Sequence, residues 1–400
     1  MGHMVTGVNQ MENEFLRVKF NSDGTLRMEN KETGDVFDGM HYLEDAGENG
    51  HSWMHESPNR DEIITSHAAP CHIAKIEDGP MLARFRVDYH MMVPVGLDYV
   101  YDEAYTGQKP RAQMRLPRAT TRTEEKREMV VRSVFTLRKG AKALDVETKV
   151  DNQCENHRVR VCFPTEIKAK VSAAEAAFDV IERDVIRTPA NWYWGRPNPQ
   201  LPMHRFVSFS DGKRGIAFAN NGIREFEAIE DNDRTVAITL FRAFTFRQPP
   251  ILDRYDIYPE MKLSQCPGEM SFKYSILPHK GDWVEGEVIR EAERVNLPLE
   301  TAQVGPHKGD LPKSMSFLSI DPVNLMLSTF KKAERSDSLI LRVFNPTTDD
   351  IDGTITFHTE IKTAWITNLN EERREQLQPD GKKINLKVGK KKIVTLELEV

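Results

Sequence analysis

No run of apolar residues in this chain approaches the roughly 20 needed to span a bilayer, and no charged-then-apolar segment opens it. Neither a membrane anchor nor a secretory signal is expected, and the chain reads as cytoplasmic. A basic stripe is also missing. Its 61 acidic and 55 basic residues are spread along 400 positions for a formal net charge of −6, which leaves nothing to neutralise a phosphate backbone and argues against a nucleic-acid partner. The basic run 389–392 (GKKK) has no interleaved aromatic residue for base stacking and reads as a solvated turn. Cysteine is scarce: Cys71, Cys154, Cys162 and Cys266 form no Cys-x-x-Cys pair. That spacing gives neither a zinc knuckle nor a redox motif, so the four read as free thiols in a reducing compartment.

What is present is alternation. Phe15, Leu16, Val18 and Phe20 precede the turn Ser22-Asp23-Gly24, and Leu26 and Met28 follow it; period-two alternation around Asp-Gly predicts a β-hairpin. Further alternating stretches at 83–92, 129–137, 144–150, 158–163, 205–209, 215–219, 235–241 and 270–277, with turn signals at 78–80, 138–140 and 211–213, predict antiparallel sheets stacked face to face. One segment differs. Asp282-x-x-Glu285 has the form of a capping box, and Trp283, Val284, Val288, Ala292 and Val295 follow a helical stripe, so a helix is expected over 282–295. Four hundred residues exceed one ordinary core, which predicts two β-rich units. The division expected is 1–12 as a tag remnant and linker, since Met1-Gly2-His3-Met4 looks like an expression scar, 13–295 as a large β-unit closed by the helix, the Pro- and Gly-rich 296–313 as a linker, and 314–400 as a small sandwich of about six strands.

Among residues that could carry chemistry, the cluster Asn191-Trp192-Tyr193-Trp194-Gly195-Arg196-Pro197 suits a sugar. Aromatic rings stack on the C–H faces of a pyranose while Arg and Asn bind its hydroxyls. The alternative is that the rings simply fasten a long loop. His51, His55, Glu56, His67, Cys71 and His72 lie in one neighbourhood but give no closed metal-ligand pattern, and no metal is expected in this chain. A stand-alone carbohydrate-binding or mutarotase-like sandwich would need a His and a carboxylate converging on a sugar as acid and base; His157 or His204 with Glu166 or Asp179 are the candidates. A purely architectural tail that mediates oligomer contacts is a third reading.

Five segments in fixed order, 13–34, 150–165 (VDNQCENHRVRVCFPT), 211–244, 277–283 (LPHKGDW) and 333–346, resemble the carboxy-terminal β-region of family 38 glycoside hydrolases, the α-mannosidases, and within it the bacterial branch that includes mannosylglycerate hydrolase. The resemblance implies a mainly β fold: a large antiparallel supersandwich of the galactose-mutarotase-like kind, followed by a small immunoglobulin-like sandwich. It implies further that the zinc and the Asp nucleophile of a retaining mechanism sit in an amino-terminal barrel outside this chain. None of the twelve His residues here is followed two positions later by Asp, the spacing of the family's first zinc signature. This chain is therefore expected to be inactive alone, with no cofactor of its own, and to have the barrel and an α-mannoside, mannosylglycerate among the candidates, as partners. The strand ending in Arg242 resembles one that points toward the barrel, so Arg242, Asp253 and Arg254 are expected at the rim of the sugar pocket, joined by Trp192, Tyr193, Trp194 and Arg196. The stretch 44–53 resembles the family's acidic glycine loop but departs from it in composition. Trp192, Tyr193, Trp194, Phe244 and Phe246 are expected to form a partly exposed apolar patch on the face toward the barrel.

Overall fold

The computed structural model describes the chain except residues 1, 53, 101–112, 116–118, 186–198, 247–253, 257 and 259, and of 100, 113–115, 119 and 254–256 it describes the backbone alone. The molecule is mainly β, as the alternation predicts. A nine-stranded antiparallel sheet runs in the order 179–184, 171–176, 206–210, 214–221, 268–280, 144–152, 126–138, 82–94 and 71–78, and a six-stranded sheet in the order 200–202, 225–228, 235–243, 157–164, 42–47 and 64–65. A five-stranded meander from Val5 to Met40 packs beside them. Their inner faces share one core: Val18 and Phe20 from the meander, Phe85, Phe135 and Tyr274 from the large sheet, and Val159, Phe163 and Phe226 from the six-stranded sheet. Ring contacts cross the layers, with Phe20 on Phe85 at 4.8 Å and Phe163 on Phe218 at 4.4 Å between centroids.

The hairpin around Gly24 forms where expected, Leu16–Phe20 pairing with Leu26–Asn30. Gly24 has φ of +84°, and a Cβ there would stand 2.6 Å from Cε1 of Tyr89, so only glycine fits both the turn and the ring against it. Residues 5–12, expected as linker, instead form two strands, Val5–Gly7 and Gln10–Glu12, that extend the meander. Met11 is fully buried, and its apolar side chain explains why the segment joins the sheet.

The helix also begins later than the capping box suggests. Asp282 Oδ1 accepts from the backbone N–H groups of Val284 and Glu285, both at 2.9 Å, but Glu285 pairs with Lys280 at 2.9 Å instead of reaching back. Glu287 adopts φ of +49°, which ends that turn, and the helix runs from Val288 to Asn296. Trp283, Val288, Ile289 and Ala292 pack with Phe206 from the large sheet and with Met326 and Phe344 from beyond residue 314. Residues 297–313 have no regular secondary structure and are exposed. After them a three-stranded sheet (Leu318–Asp321, Ile351–Phe357, Lys383–Val388) faces a five-stranded one (Met326–Lys332, Leu339–Phe344, Ile393–Glu399, Thr363–Thr367, Arg373–Leu377) across a second core that includes Leu341, Ile355, Ile384 and Leu396. All four cysteines are free. Among the described residues no helix is long and apolar enough to cross a membrane.

The large core encloses a polar chain. Fully buried His41 meets Tyr274 Oη through Nε2 at 2.7 Å and Tyr89 Oη through Nδ1 at 3.3 Å. Tyr274 continues to Thr148 at 2.7 Å, and Tyr89 donates to Gly24 O at 2.8 Å. Burial pushes the His41 imidazole from 6.5 down to about 3. A depressed histidine binds its proton more readily in the unfolded chain, so its contribution is complete above pH 6.5 and is lost as pH falls toward 3. Between pH 7 and 5 the expected loss is about 2 kcal/mol. Denaturant titrations at several pH values check this: His41→Asn, which tolerates the positive φ of this position, should flatten the slope in that window, and an unchanged slope would rule out His41 as its source.

Candidate functional site

The face of the six-stranded sheet turned away from the core is charged, and the pleat explains why. In the strand His157–Pro164, Val159, Val161 and Phe163 enter the core, so Arg158, Arg160 and Cys162 project from the opposite side. The neighbouring strand Thr235–Ala243 contains an extra residue, Leu240, in its pairing with 159–160. This bulge lets Phe241 and Ala243 stay in the core while Thr239 and Arg242 both face outward. Glu44 from the strand Tyr42–Gly47 and Glu225 and Glu227 from Glu225–Ala228 complete the face.

These side chains form a lattice of alternating sign. Arg160 donates from Nε to Glu44 at 2.9 Å and from Nη1 to Glu227 at 2.6 Å. Glu227 also accepts from Gln200 at 2.9 Å, and Glu225 accepts from Thr239 at 2.8 Å. Arg242 donates to Glu48 Oε2 at 2.8 Å and to the carbonyl of His51 at 2.8 Å, and its guanidinium lies 5.6 Å from the ring centre of Phe244. Glu48 is met from its other side by His55 Nδ1 at 2.7 Å. Burial alone would raise the Glu48 carboxyl, but His55 and Arg242 outweigh it and hold it at about 2. Burial, with Glu44 beside it, pushes the Cys162 thiol up to about 12, so that sulfur is no nucleophile. On the core side of the same strands Asp45, fully buried, accepts from Arg122 Nη2 at 2.5 Å and meets His157 Nδ1 at 2.5 Å.

Each carboxylate in this lattice is already committed to a donor. Such an arrangement orients groups and reads charge; it does not offer a free acid and base for proton transfer. Arg242, expected at a pocket rim, is thus held along one edge of its guanidinium, through Nε and Nη2. Arg254 lies in a short strand paired with 113–115. Trp192, Tyr193, Trp194, Arg196 and Asp253 lie outside the described residues. Of the expected aromatic patch, Phe244 and Phe246 are half-buried, Phe246 meeting the ring of Tyr258 edge-on at 5.7 Å.

The mutarotase-type pairs are not brought together. His157 is buried on Asp45 and Asn152, His204 and Glu166 are exposed, and Asp179 is bonded to Lys391 at 2.5 Å. Nor do the histidines of 51–72 converge: His55 serves Glu48 and His67 faces Asp23 at 3.2 Å. Among the described residues no group of three or more His, Cys, Asp or Glu could hold a metal. The stretch 44–53, read as a loop, starts as a buried strand with Glu44 and Asp45 on opposite faces. The sequence reading passed over Arg158 and Arg160; their signal was the alternation His-Arg-Val-Arg-Val, which puts two arginines on one face of a strand.

Residues 11–250 match the family described as "Glycosyl hydrolases family 38 C-terminal domain", and residues 324–396 the one described as "Glycosyl hydrolases family 38 C-terminal beta sandwich domain". The "Putative mannosylglycerate hydrolase" of Halalkalibacterium halodurans is 26% identical over 392 residues, which cover 98% of this chain and 42% of that protein. "Alpha-mannosidase 2C1" of Mus musculus is 26% identical over 224 residues, 55% of this chain and 19% of that protein. An alpha-mannosidase from Enterococcus faecalis V583, known by crystal structure, superposes with a TM-score of 0.85 at 25% identity, covering 100% of this chain and 43% of that one. The chain spans less than half the length of these relatives. With a family match over more than half of its residues, this chain belongs to glycosyl hydrolase family 38, corresponding to the family's C-terminal β-region.

Proposed function

We propose that this chain is the non-catalytic C-terminal region of a zinc-dependent retaining α-mannosidase, one that acts on α-mannosides such as mannosylglycerate. Its partners are then the catalytic barrel and the carbohydrate. The observation that carries the reading is Arg242, fixed by Glu48 and the His51 carbonyl at the margin of the charged face, in a chain whose relatives are named as a mannosylglycerate hydrolase and an alpha-mannosidase and are more than twice its length. In this reading Arg242 and Arg254, with Asp253 and the segment holding Trp192, Tyr193, Trp194 and Arg196, reach the sugar pocket from the β-region. A planar guanidinium held along its Nε and Nη2 edge keeps Nη1 as a donor for a sugar hydroxyl. The zinc and the nucleophile belong to the barrel, and the histidines described here do not fit a metal. The large β-unit, residues 5–12 included, and the small sandwich 314–400 serve as the frame against which the barrel rests, in a cytoplasmic protein.

The test compares this chain with the longer protein that contains it, using an aryl α-mannoside. The chain alone is expected to be inactive, and the longer protein active and silenced by a chelator. Arg242→Met in the longer protein should lower kcat/KM by roughly 10–100-fold, the value of a hydrogen bond to a charged group. Hydrolysis by the chain alone, abolished by changing one of its own residues, would overturn the reading.

A further inference from the structure

Among the described residues, every cation but one on the outward face of the six-stranded sheet is hydrogen-bonded to an acid, and the exception is buried. Arg158 stands directly opposite Arg242 in the strand register, an arrangement of like charges that is unfavourable unless something lies between them. Its neighbour on the other side is Ala46, which has no side-chain acceptor. Arg158 is only 5% exposed, yet its Nε and Nη1 have no hydrogen-bond partner. Glu227 is 4.0 Å away, beyond hydrogen-bond length, and its Oε2 already accepts from Arg160 and Gln200. Burial, followed by the charge of Arg160, lowers the Arg158 guanidinium from its ordinary value. Buried donors left without acceptors are costly, and they are tolerated where a ligand completes them.

We infer that Arg158, beside Arg242 on this face, is the receptor for a carboxylate, supplied by a small acidic ligand or by a side chain of the longer protein. A carboxylate supplies the charge-assisted acceptor that the buried guanidinium lacks at Nε and Nη1. Glu44, Glu48 and Glu227 all act on Arg158, so a dianion such as phosphate meets more repulsion than a monoanion. Both unpartnered nitrogens are screened from solvent, so binding is best read at equilibrium. The identity of the ligand rests on the function proposed above, but the receptor itself does not.

The first arm of the test uses this chain alone, with glycerate as probe, glycerol as the neutral control of the same skeleton and inorganic phosphate as the dianion control. Glycerate is expected to raise the thermal midpoint by a few degrees at saturation and to shift the Arg158 side-chain N–H resonance; glycerol should do neither and phosphate less. Arg158→Met should abolish both responses while being at least as stable as the parent, because it removes two buried donors that have no acceptor, whereas Arg160→Met should destabilise. No response to glycerate, an equal response in Arg158→Met, or a destabilised Arg158→Met would overturn the inference. The second arm separates the two sources in the longer protein. If the acid is a substrate group, Arg158→Met raises KM for an anionic α-mannoside roughly 10–100-fold more than for a neutral aryl α-mannoside. If it is a side chain, glycerate no longer shifts the midpoint and Arg158→Met weakens the packing of the two halves. Failure of the catalytic reading would leave the first arm standing.

Discussion

Asp45→Ala is expected to lower stability by about 3–5 kcal/mol, the range for deleting one member of a buried ion pair. The carboxylate is fully buried between Arg122 Nη2 and His157 Nδ1, each at 2.5 Å, and neither partner has an adequate substitute. Arg122 is left with Asp61 at 3.8 Å and the carbonyl of Glu62 at 3.2 Å. His157 keeps only Asn152 Oδ1 at 2.9 Å, whose amide is already tied to the carbonyls of Gln265 and Cys266. The damage should therefore spread to the turn at 262–266. Urea denaturation measures the loss, and Asp45→Asn should cost less because the amide oxygen still accepts one hydrogen bond. A midpoint for Asp45→Ala within about 1 kcal/mol of the parent would show that this ion-pair cluster contributes little.

Trp283→Ala is expected to cost about 3–5 kcal/mol, the usual range for truncating a large buried aromatic residue. Trp283 fills the space between the large sheet, the helix and the small sandwich: its ring lies 6.3 Å from that of Phe206, and it shares a cluster with Val288, Ile289, Met326 and Phe344. The void left behind would loosen three elements at once. Hydrogen exchange should therefore show lost protection across Val288–Asn296 while amides of Leu82–Pro94 and Lys126–Arg138, remote from this cluster, stay protected. Equal loss in both regions would indicate global unfolding and reject a local role for Trp283.

Much of this molecule is determined locally. Alternating apolar residues specify which side chains share a face of a strand, which is why Phe15–Met28 reads as a hairpin and why Val159, Val161 and Phe163 are legible as core. Gly24 is readable for the same reason, since a turn needs a residue that tolerates positive φ. Existence of the helix after Asp282 was also legible, because its stripe is carried by residues three and four apart. The five ordered segments were enough to identify the family.

Tertiary structure decided the rest. Alternation says which residues face outward but not which strand lies alongside, so the carboxylate that holds Arg242 could not be found: Glu48 lies 194 positions earlier in the chain. Arg160 likewise reaches acids 116 and 67 residues away. The bulge at Leu240 reset the facing of Arg242, and no local pattern signals a bulge set by the neighbouring strand. Residues 5–12 became strands only because the meander offered an edge and a core for Met11. The helix began at Val288 because Glu285 found Lys280 rather than the capping position. Sequence determined the strands, their buried faces and the family; the pairing of strands far apart in the chain determined which charges meet, because electrostatic contact depends on distance in space and not on separation along the backbone.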